Sequence, residues 1–422
     1  MSVPISPSPP AILLRVFLPF AAGYFLSYLY RTINAVLSPY LAAELHLDAS
    51  ALGLLTSVYF LTFAAFQLPL GILLDRFGPR RVEAVLLLFA AGGAVLFAVG
   101  HSATELLLGR ALIGLGVSAC LMASFKAFVL WFPAERLSVV NGWVLAAGGL
   151  GALVATAPVE MALKLTDWRG VFVGLAVLTL AVAALLVWVV PEREEEGDAA
   201  HRDGWSAQWR GMVGIFRSPV FWRIAPVAVL SQASFLAIQS LWAGPWLRDV
   251  SGLDAAAAAG MLFWIAAAMV AGFLSLGQLA YRLARWGIAP LTVATGGLAV
   301  FMLAQLAILV GWGPRLPLWV LFGFFGTSGM LSYAVLSQSF PSSLAGRVNT
   351  ALNLLVFVAA FAMQWGMGAI INRWPAADGG YADWGYQLAF GVVLAGQFVT
   401  WLWLLVGSRR IGKTGRPGPD DR

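Results

Sequence analysis

One arginine lies deep inside an apolar segment near the start of the chain. Arg31 forms a polar stripe with Ser27, Asn34 and Ser38, and the spacing of four, three and four residues puts all of them on one helix face. Tyr28 borders this face. A guanidinium offers a two-pronged donor to a carboxylate or phosphate, so the stripe predicts an anion-binding wall. The alternative is a structural arginine bonded to carbonyls of neighbouring helices.

A later apolar segment holds two more basic residues, Arg110 and Lys126. They are sixteen residues apart, which at about 100° per residue puts them on nearly opposite sides of a helix. Each is a candidate for contact with a bound solute, although not in the same cavity. The alternatives are a structural role for Arg110 and a Lys126 side chain that reaches back to the membrane surface.

Polar and aromatic residues in the second half of the chain could complete a cavity. Their alternative role is to join helices to one another by hydrogen bonds and packing. The candidates are Gln232, Gln239, Trp242, Ser332, Tyr333 and Asn353.

These residues stand in a chain of 422 residues that is 60% hydrophobic and only 11% charged. Ordinary soluble domains are about 25% charged, so apolar surface on this scale needs lipid. The net charge of +6 sits mainly in short loops, which indicates membrane topology and argues against nucleic acid as a partner. One cysteine, Cys120, and three scattered histidines predict neither a disulfide framework nor a metal site, and we expect no cofactor.

Twelve apolar runs approach or exceed the roughly 20 residues that a membrane-crossing helix needs. A polar linker at 191–219, with a short amphipathic helix expected at 205–216, separates a six-helix bundle at 1–190 from a second at 220–408, and a tail follows at 409–422. The sequence therefore predicts an all-α membrane protein. The runs lie at 16–41, 51–74, 83–100, 105–131, 138–163, 170–190, 220–247, 255–280, 288–311, 316–339, 345–372 and 385–407.

The basic residues are distributed unevenly between the two sides of these spans. Eighteen of the 26 Lys and Arg fall at the termini, in the linker and in loops on the same side, and five fall on the other side. Because basic loops stay in the cytoplasm, we predict that both termini are cytoplasmic. The expected location is the cell membrane, with the bacterial inner membrane as the expected compartment.

The two halves repeat each other. Leu47-Asp48-Ala49 matches Leu253-Asp254-Ala255 at an offset of 206, and Pro39 matches Pro245 at the same offset. Each aspartate is predicted to cap the helix that follows it. Such duplication is typical of carriers that expose a site between two halves alternately to each side of the membrane.

Acidic residues are expected only near the membrane faces. Glu160 and Glu105 are predicted at the outer face, and Asp75, Glu83 and Glu135 at the inner face. Fixed charge deep in the membrane would then be positive only, which favours an anionic solute. A coupling proton or counter-ion is expected to act through the solute or through an acid near the outer face.

The loop after the second span reads Gly71-Ile-Leu-Leu-Asp-Arg-Phe-Gly-Pro-Arg-Arg81. It resembles the signature loop of the major facilitator superfamily, and Gly109-Arg110 and Trp168-Arg169 resemble further family positions. The resemblance implies twelve helices in two pseudo-symmetric bundles. It also implies a cytoplasmic gate in which Asp75 faces the start of the eleventh helix, near Ser342 and Ser343. The residues assigned to this gate are Gly71, Asp75, Arg76, Gly78, Arg80, Arg81 and Arg136.

Tyr30-Arg31-x-x-Asn34 is also similar to the organic-anion and cation symporter branch of that family. Two acids of the branch are missing here, since Tyr30 and Val117 stand in their places. Proton coupling through those two positions is therefore not expected.

The predicted function is secondary active import of a small anionic solute by a monomer. The alternatives are export of amphipathic compounds, carriage of a metal chelate, and a membrane enzyme or sensor. The chain carries no phosphate-binding loop of the type G-x-x-x-x-G-K-[ST], so direct use of ATP is not expected.

Overall fold

The computed structural model describes residues 12–192, 205–341, 344–375 and 380–411, and twelve of its helices are long and apolar enough to cross a membrane. This confirms the predicted fold class. The predicted linker residues 193–204, the tail residues 412–422 and the helix start at Ser342 and Ser343 lie outside the described residues. The expected helix in the linker is present at Trp205–Phe216. Spans 1 to 12 occupy Leu13–Thr32, Ala49–Gln67, Pro69–Val99, Ala103–Trp131, Val139–Ala162, Trp168–Val189, Pro219–Val250, Ala255–Ala284, Pro290–Leu309, Arg315–Gln338, Gly346–Ile371 and Asp383–Val406.

Irregular helical segments recur at matching places in the two halves. At the end of span 1, helix Leu18–Thr32 is followed by helix Asn34–Leu45 with Ile33, which keeps helical φ and ψ, between them, and span 7 contains a π-helical stretch at Ile238–Trp242. Span 4 is interrupted between Gly116 and Cys120, and span 10 has a short 3₁₀ segment at Gly326–Ser328. Breaks inside membrane helices are tolerated only where protein or a cavity surrounds them. The paired irregular segments therefore indicate where the interior of the protein departs from simple helix packing.

The predicted aspartate caps are confirmed. Asp48 accepts a hydrogen bond from the Ala51 backbone N–H at 2.7 Å, and Asp254 accepts one from Ala257 at 2.7 Å. Each cap satisfies a donor that the first turn of a helix leaves free. The caps fix the starts of spans 2 and 8 at equivalent points of the repeat.

The second and third of the twelve segments belong to one element, Ala49–Val99, which turns sharply at Gly78, whose φ of +76° is in the region that glycine adopts without strain. Because the chain turns there, span 2 from here on means residues 49–77 and span 3 means residues 79–99. The helix of span 3 resumes at Pro79, a proline position suited to a first helical turn. Span 3 therefore begins about one turn earlier than its predicted start at residue 83.

The two halves meet closely at the end of the spans that the charge pattern assigns to the outside. Arg248 of span 7 donates to Ser38 Oγ at 3.0 Å, and Asn372 donates to Asp48 at 3.2 Å. The helices touch backbone to backbone there, because a Cβ on Gly244 would lie 2.1 Å from the carbonyl oxygen of Ala35. These contacts close that end of the interface.

Candidate functional site

A small cavity of about 60 Å³ lies between the two halves, close to the breaks in spans 4 and 10. Spans 1, 2 and 4 line it from the first half, and spans 7, 10 and 11 line it from the second. This is the position expected for a site that opens alternately to each side. Its volume holds about two water molecules, so a larger solute needs the halves to move apart.

Arg31 projects into this cavity from span 1 and is only 5% exposed. Its guanidinium carbon lies 4.4 Å from the ring centre of Tyr28, 5.4 Å from that of Phe63 and 5.2 Å from that of Phe357. Aromatic faces stabilise a cation without neutralising it. The ion pairs among the described residues do not include Arg31, and its Nε has no hydrogen-bond partner there. The cavity therefore contains a positive charge that no carboxylate of the described residues balances.

A chain of polar side chains crosses the cavity beside Arg31. Tyr333 donates to Asn353 at 3.4 Å, and Asn353 donates to Gln67 of the other half at 3.3 Å. Gln67 in turn donates to the carbonyl of Ser118 at 3.4 Å, where span 4 is interrupted. Gln232 adds an Nε2 that is buried without a partner. These groups include both donors and acceptors, so a polar solute can form hydrogen bonds with them in place of the bonds that they form with one another.

Five of the residues predicted to bind the solute come together here. Tyr28, Arg31, Gln232, Tyr333 and Asn353 all line the cavity. Their role as ligands stays a prediction, because the structure gives their positions and not what they bind.

Ser27 and Asn34 lie outside the cavity lining, although they share the predicted stripe with Arg31. Ser27 donates to the carbonyl of Val117 at 3.4 Å, and Asn34 donates to Thr56 at 3.1 Å. The face of span 1 that lines the cavity carries Tyr24, Tyr28 and Arg31, and it is rotated from the predicted stripe. Ser27 and Asn34 therefore join span 1 to spans 4 and 2.

Arg110 also lies away from the cavity lining. It is fully buried, donates to the carbonyl of Tyr30 at 2.7 Å and stacks over Tyr59 at 4.9 Å. These contacts fit the structural role that was the alternative for Arg110. The guanidinium binds a backbone carbonyl near the end of helix Leu18–Thr32. The structure therefore places Arg110 behind the cavity wall.

Lys126 lies near the opposite membrane face from Arg110, as the 16-residue spacing requires. Its ammonium is 2.5 Å from the Asp75 carboxylate, and both line a separate cavity of about 260 Å³ at the predicted cytoplasmic end of the first half. The remaining candidates, Gln239, Trp242 and Ser332, do not line the central cavity either. Trp242 donates to the carbonyl of Gln364 at 2.9 Å, which ties span 7 to span 11.

The gate residues make their described contacts within the first half. Arg80 donates to the carbonyl of Val187, and Arg81 pairs with Glu192, so the signature loop is bound to the end of span 6. Asp75 is paired with Lys126, and the start of the eleventh helix that it is expected to face lies outside the described residues. The other residues of the predicted set are placed as follows: Gly71 and Arg76 at the exposed end of span 2, Gly78 at the turn, and Arg136 beside an apolar hollow lined by Trp131.

One acidic residue is more deeply buried in the protein than its expected position implied. Glu83 was expected near the inner membrane face, and it is fully buried against Gly23 of span 1. The difference follows from the predicted start of span 3 at residue 83. Because the helix begins at Pro79, Glu83 lies a full turn inside it. The Pro79 that follows the Gly78 turn was the signal that could have found this position.

Comparison with known proteins agrees with this architecture. A family model described as the Major Facilitator Superfamily matches residues 20–364. The probable sulfoacetate transporter SauU of Cupriavidus necator is 29% identical over 157 residues, which cover 37% of this chain and 36% of that protein. The probable L-galactonate transporter of Escherichia coli K12 is 28% identical over 213 residues, covering 47% and 46%. The hexuronate transporter of the same strain is 25% identical over 233 residues, covering 50% and 52%. The chain thus spans about a third to a half of the length of these curated relatives.

Solved structures share the fold over nearly the whole chain. A bacterial homolog of the human lysosomal transporter Spinster, inward-facing and unoccupied, superposes with a TM-score of 0.78 at 17% identity, covering 98% of this chain and 100% of that one. A D-xylose-proton symporter gives 0.69 at 16% identity, covering 93% and 98%. At these identities the likeness concerns the fold alone. The family match over residues 20–364 shows that this multi-pass membrane protein belongs to the Major Facilitator Superfamily.

Proposed function

We propose that the chain carries a small organic anion, of the sugar-acid or sulfonate class, into the cell across the bacterial inner membrane. The observation that carries this proposal is the unbalanced Arg31 charge in the cavity between the halves. A buried charge without a partner is costly to maintain, so its retention favours a ligand of opposite sign. The relatives named for sulfoacetate, L-galactonate and hexuronate support the same class, since each solute carries a sulfonate or carboxylate.

The polar chain beside Arg31 suits a solute that also has hydroxyl groups. Tyr333, Asn353 and Gln67 offer both donors and acceptors close to the guanidinium. A sugar acid would pair its carboxylate with Arg31 and exchange hydrogen bonds with the amides. An amphipathic cation would instead leave the guanidinium unpaired and be repelled by it, which disfavours cationic substrates for the alternative exporter of amphipathic compounds.

A thermal-shift screen of the purified protein tests the proposal. Galacturonate, L-galactonate, sulfoacetate, tetraphenylphosphonium and ferric citrate are compared, because a ligand of the folded state raises the melting temperature. Wild type, Arg31→Ala and Arg31→Lys are run beside Arg315→Ala, a control at the exposed outer end of span 10. We expect stabilisation by one of the first three anions that is lost in Arg31→Ala and reduced in Arg31→Lys, which keeps the charge but not the planar fork.

Uptake into proteoliposomes then gives the direction and the substrate. Accumulation of the stabilising anion should require intact Arg31 and should be unaffected by Arg315→Ala. Stabilisation by tetraphenylphosphonium or the iron chelate that persists in Arg31→Ala would overturn the anion carrier. It would favour the amphipathic or chelate alternative instead.

A further inference from the structure

Span 3 carries a carboxyl group that no described residue balances. Glu83 is fully buried, and neither carboxyl oxygen has a hydrogen-bond partner by geometry among the described residues. One oxygen lies directly on span 1, since a Cβ built on Gly23 would be 2.0 Å from Oε1. The same Cβ would be 3.8 Å from the Cys120 sulfur of span 4, so the carboxyl and the thiol share one small pocket.

This pocket suits a neutral carboxylic acid and not a carboxylate. An ionised carboxylate deprived of water, cations and donors costs several kcal/mol, whereas its protonated form avoids most of that penalty. A thiol is a weak donor and compensates little of it. Metal cations such as Mg²⁺ and Ca²⁺ need six or more oxygen ligands, and no group of three or more acidic, cysteine or histidine residues that could hold a metal ion is found among the described residues. A proton is the cation that fits.

We propose that Glu83 binds the proton that is coupled to movement of the anion. The proposal rests on the anion-carrier function above and names its coupling site. It places that site on span 3, behind the wall of the central cavity and not within it.

The helices that pack around Glu83 reach both the Arg31 cavity and the cavity beside Asp75 and Lys126. Pro79 and Arg80, one helical turn earlier in span 3, line the cavity at the predicted cytoplasmic end. Toward the centre, Gly23 and Cys120 each precede a residue that lines the Arg31 cavity. A small displacement of span 1 or span 4 therefore opens the carboxyl to water on one side or the other.

The electrostatic neighbours of Glu83 connect it to the anion site. Among the described groups, the Cys120 thiol of span 4 is the titratable group that interacts with the Glu83 carboxyl directly. The same thiol also interacts electrostatically with Arg31 of span 1. Tyr24, beside Gly23, faces the central cavity with Arg31. An anion on Arg31 and a proton on Glu83 neutralise both buried charges together. The fully loaded carrier can then change from one open side to the other without an unpaired charge in its interior, which is the physical basis of coupling.

Infrared difference spectroscopy on the purified protein tests proton binding without any solute. The carbonyl stretch of a protonated carboxylic acid is followed from acidic to alkaline pH in wild type, Glu83→Gln and Glu160→Gln. Glu160, largely buried near the outer end, is the matched control. We expect a band that persists at neutral pH in wild type and Glu160→Gln and is absent in Glu83→Gln. An unchanged band in Glu83→Gln would overturn the proposal.

Folding of the variant is informative as well. Glutamine is an uncharged isostere of protonated glutamate, so Glu83→Gln should fold with nearly wild-type stability. A variant that fails to fold at neutral pH would contradict a neutral Glu83 and overturn the proposal.

Coupling is measured in proteoliposomes with labelled galacturonate, L-galactonate or sulfoacetate. In wild type an inwardly directed proton gradient should drive accumulation, and in Glu83→Gln accumulation should fall to the level reached without a gradient, while exchange of labelled for unlabelled anion remains measurable. Accumulation driven by a sodium gradient, or proton-driven accumulation that survives in Glu83→Gln, would overturn the coupling role. If none of the three anions is carried, the proposed function fails, whereas the infrared titration still decides proton binding at Glu83.

Discussion

Lys126 and Asp75 form an ion pair of 2.5 Å that holds the signature loop to span 4 of its own half. At the opposite end of the spans, Arg248 and Ser38 join the two halves at 3.0 Å. The interface is thus closed at the predicted outer end, while Asp75 is engaged inside the first half. If the termini are cytoplasmic, as the basic loops predict, this arrangement corresponds to a carrier closed to the outside.

Asp75→Asn tests whether this carboxylate works as a gate. The Asp75 side chain is 54% exposed, so its ion pair should contribute no more than about 1 kcal/mol to the free energy of unfolding. We expect the melting temperature in detergent to shift by only a few degrees, while the rate of anion transport falls several-fold because the charge can no longer alternate between partners. Asp75→Glu, which keeps the charge, should retain most of the rate. A large loss of stability with a proportionate loss of transport would show a structural role instead.

The duplicated caps allow a matched comparison of two aspartates. Asp254→Ala removes only a helix cap and should lower the free energy of unfolding by about 1 kcal/mol. Asp48→Ala removes an equivalent cap and also the contact with Asn372 of the other half. We expect it to be the more destabilising of the two and to increase labelling of a cysteine introduced at Ser38, measured with a membrane-impermeant thiol reagent. Equal labelling in the two variants would contradict a role for Asp48 in closing the outer end.

The aromatic surroundings of Arg31 are tested with Phe357→Leu. This change keeps an apolar side chain but removes a ring that lies 5.2 Å from the guanidinium and stacks on Phe63 at 4.2 Å. Loss of one cation–π contact of about 0.5–2 kcal/mol corresponds to roughly a 2- to 30-fold weaker anion affinity. Phe60→Leu is the control, since Phe60 is equally buried and contacts Phe357 but has no described contact with Arg31. Isothermal titration with the stabilising anion measures both, and equal losses would argue against the cation–π contribution.

The sequence predicted the spans, the repeat and the central Arg31 because these depend on local composition and spacing. Apolar runs, Asp48 and Asp254 ahead of helices, and a single arginine between polar residues are all visible in one dimension. Some predicted residues lie outside the cavity because of contacts with other helices, and residue spacing does not reveal such contacts. Asn34 is turned toward Thr56 of span 2, and Arg110 is turned toward a backbone carbonyl of a neighbouring span.

The burial of the Glu83 carboxyl was even harder to predict from the sequence. Whether Glu83 lies at a helix end or one turn inside depends on where span 3 starts, and such boundaries are the least certain part of a sequence analysis. Its burial further depends on Gly23, sixty residues away, which leaves room for the carboxyl in span 1. A contact of that kind arises from packing between spans and has no local signature.

Gly23→Ala tests this packing directly. The added methyl group would lie 2.0 Å from Glu83 Oε1, so the carboxyl must move away from span 1. We expect a destabilisation of about 1–3 kcal/mol from overpacking. We also expect a shifted carboxylic-acid band in the infrared titration, because the displaced carboxyl meets a different environment. Gly174→Ala in span 6 is the control, since a Cβ there meets no atom within 4 Å, and it should be neutral or stabilising by up to about 1 kcal/mol. A Gly23→Ala protein with wild-type stability and an unshifted band would contradict the contact between spans 1 and 3 on which the proton site depends.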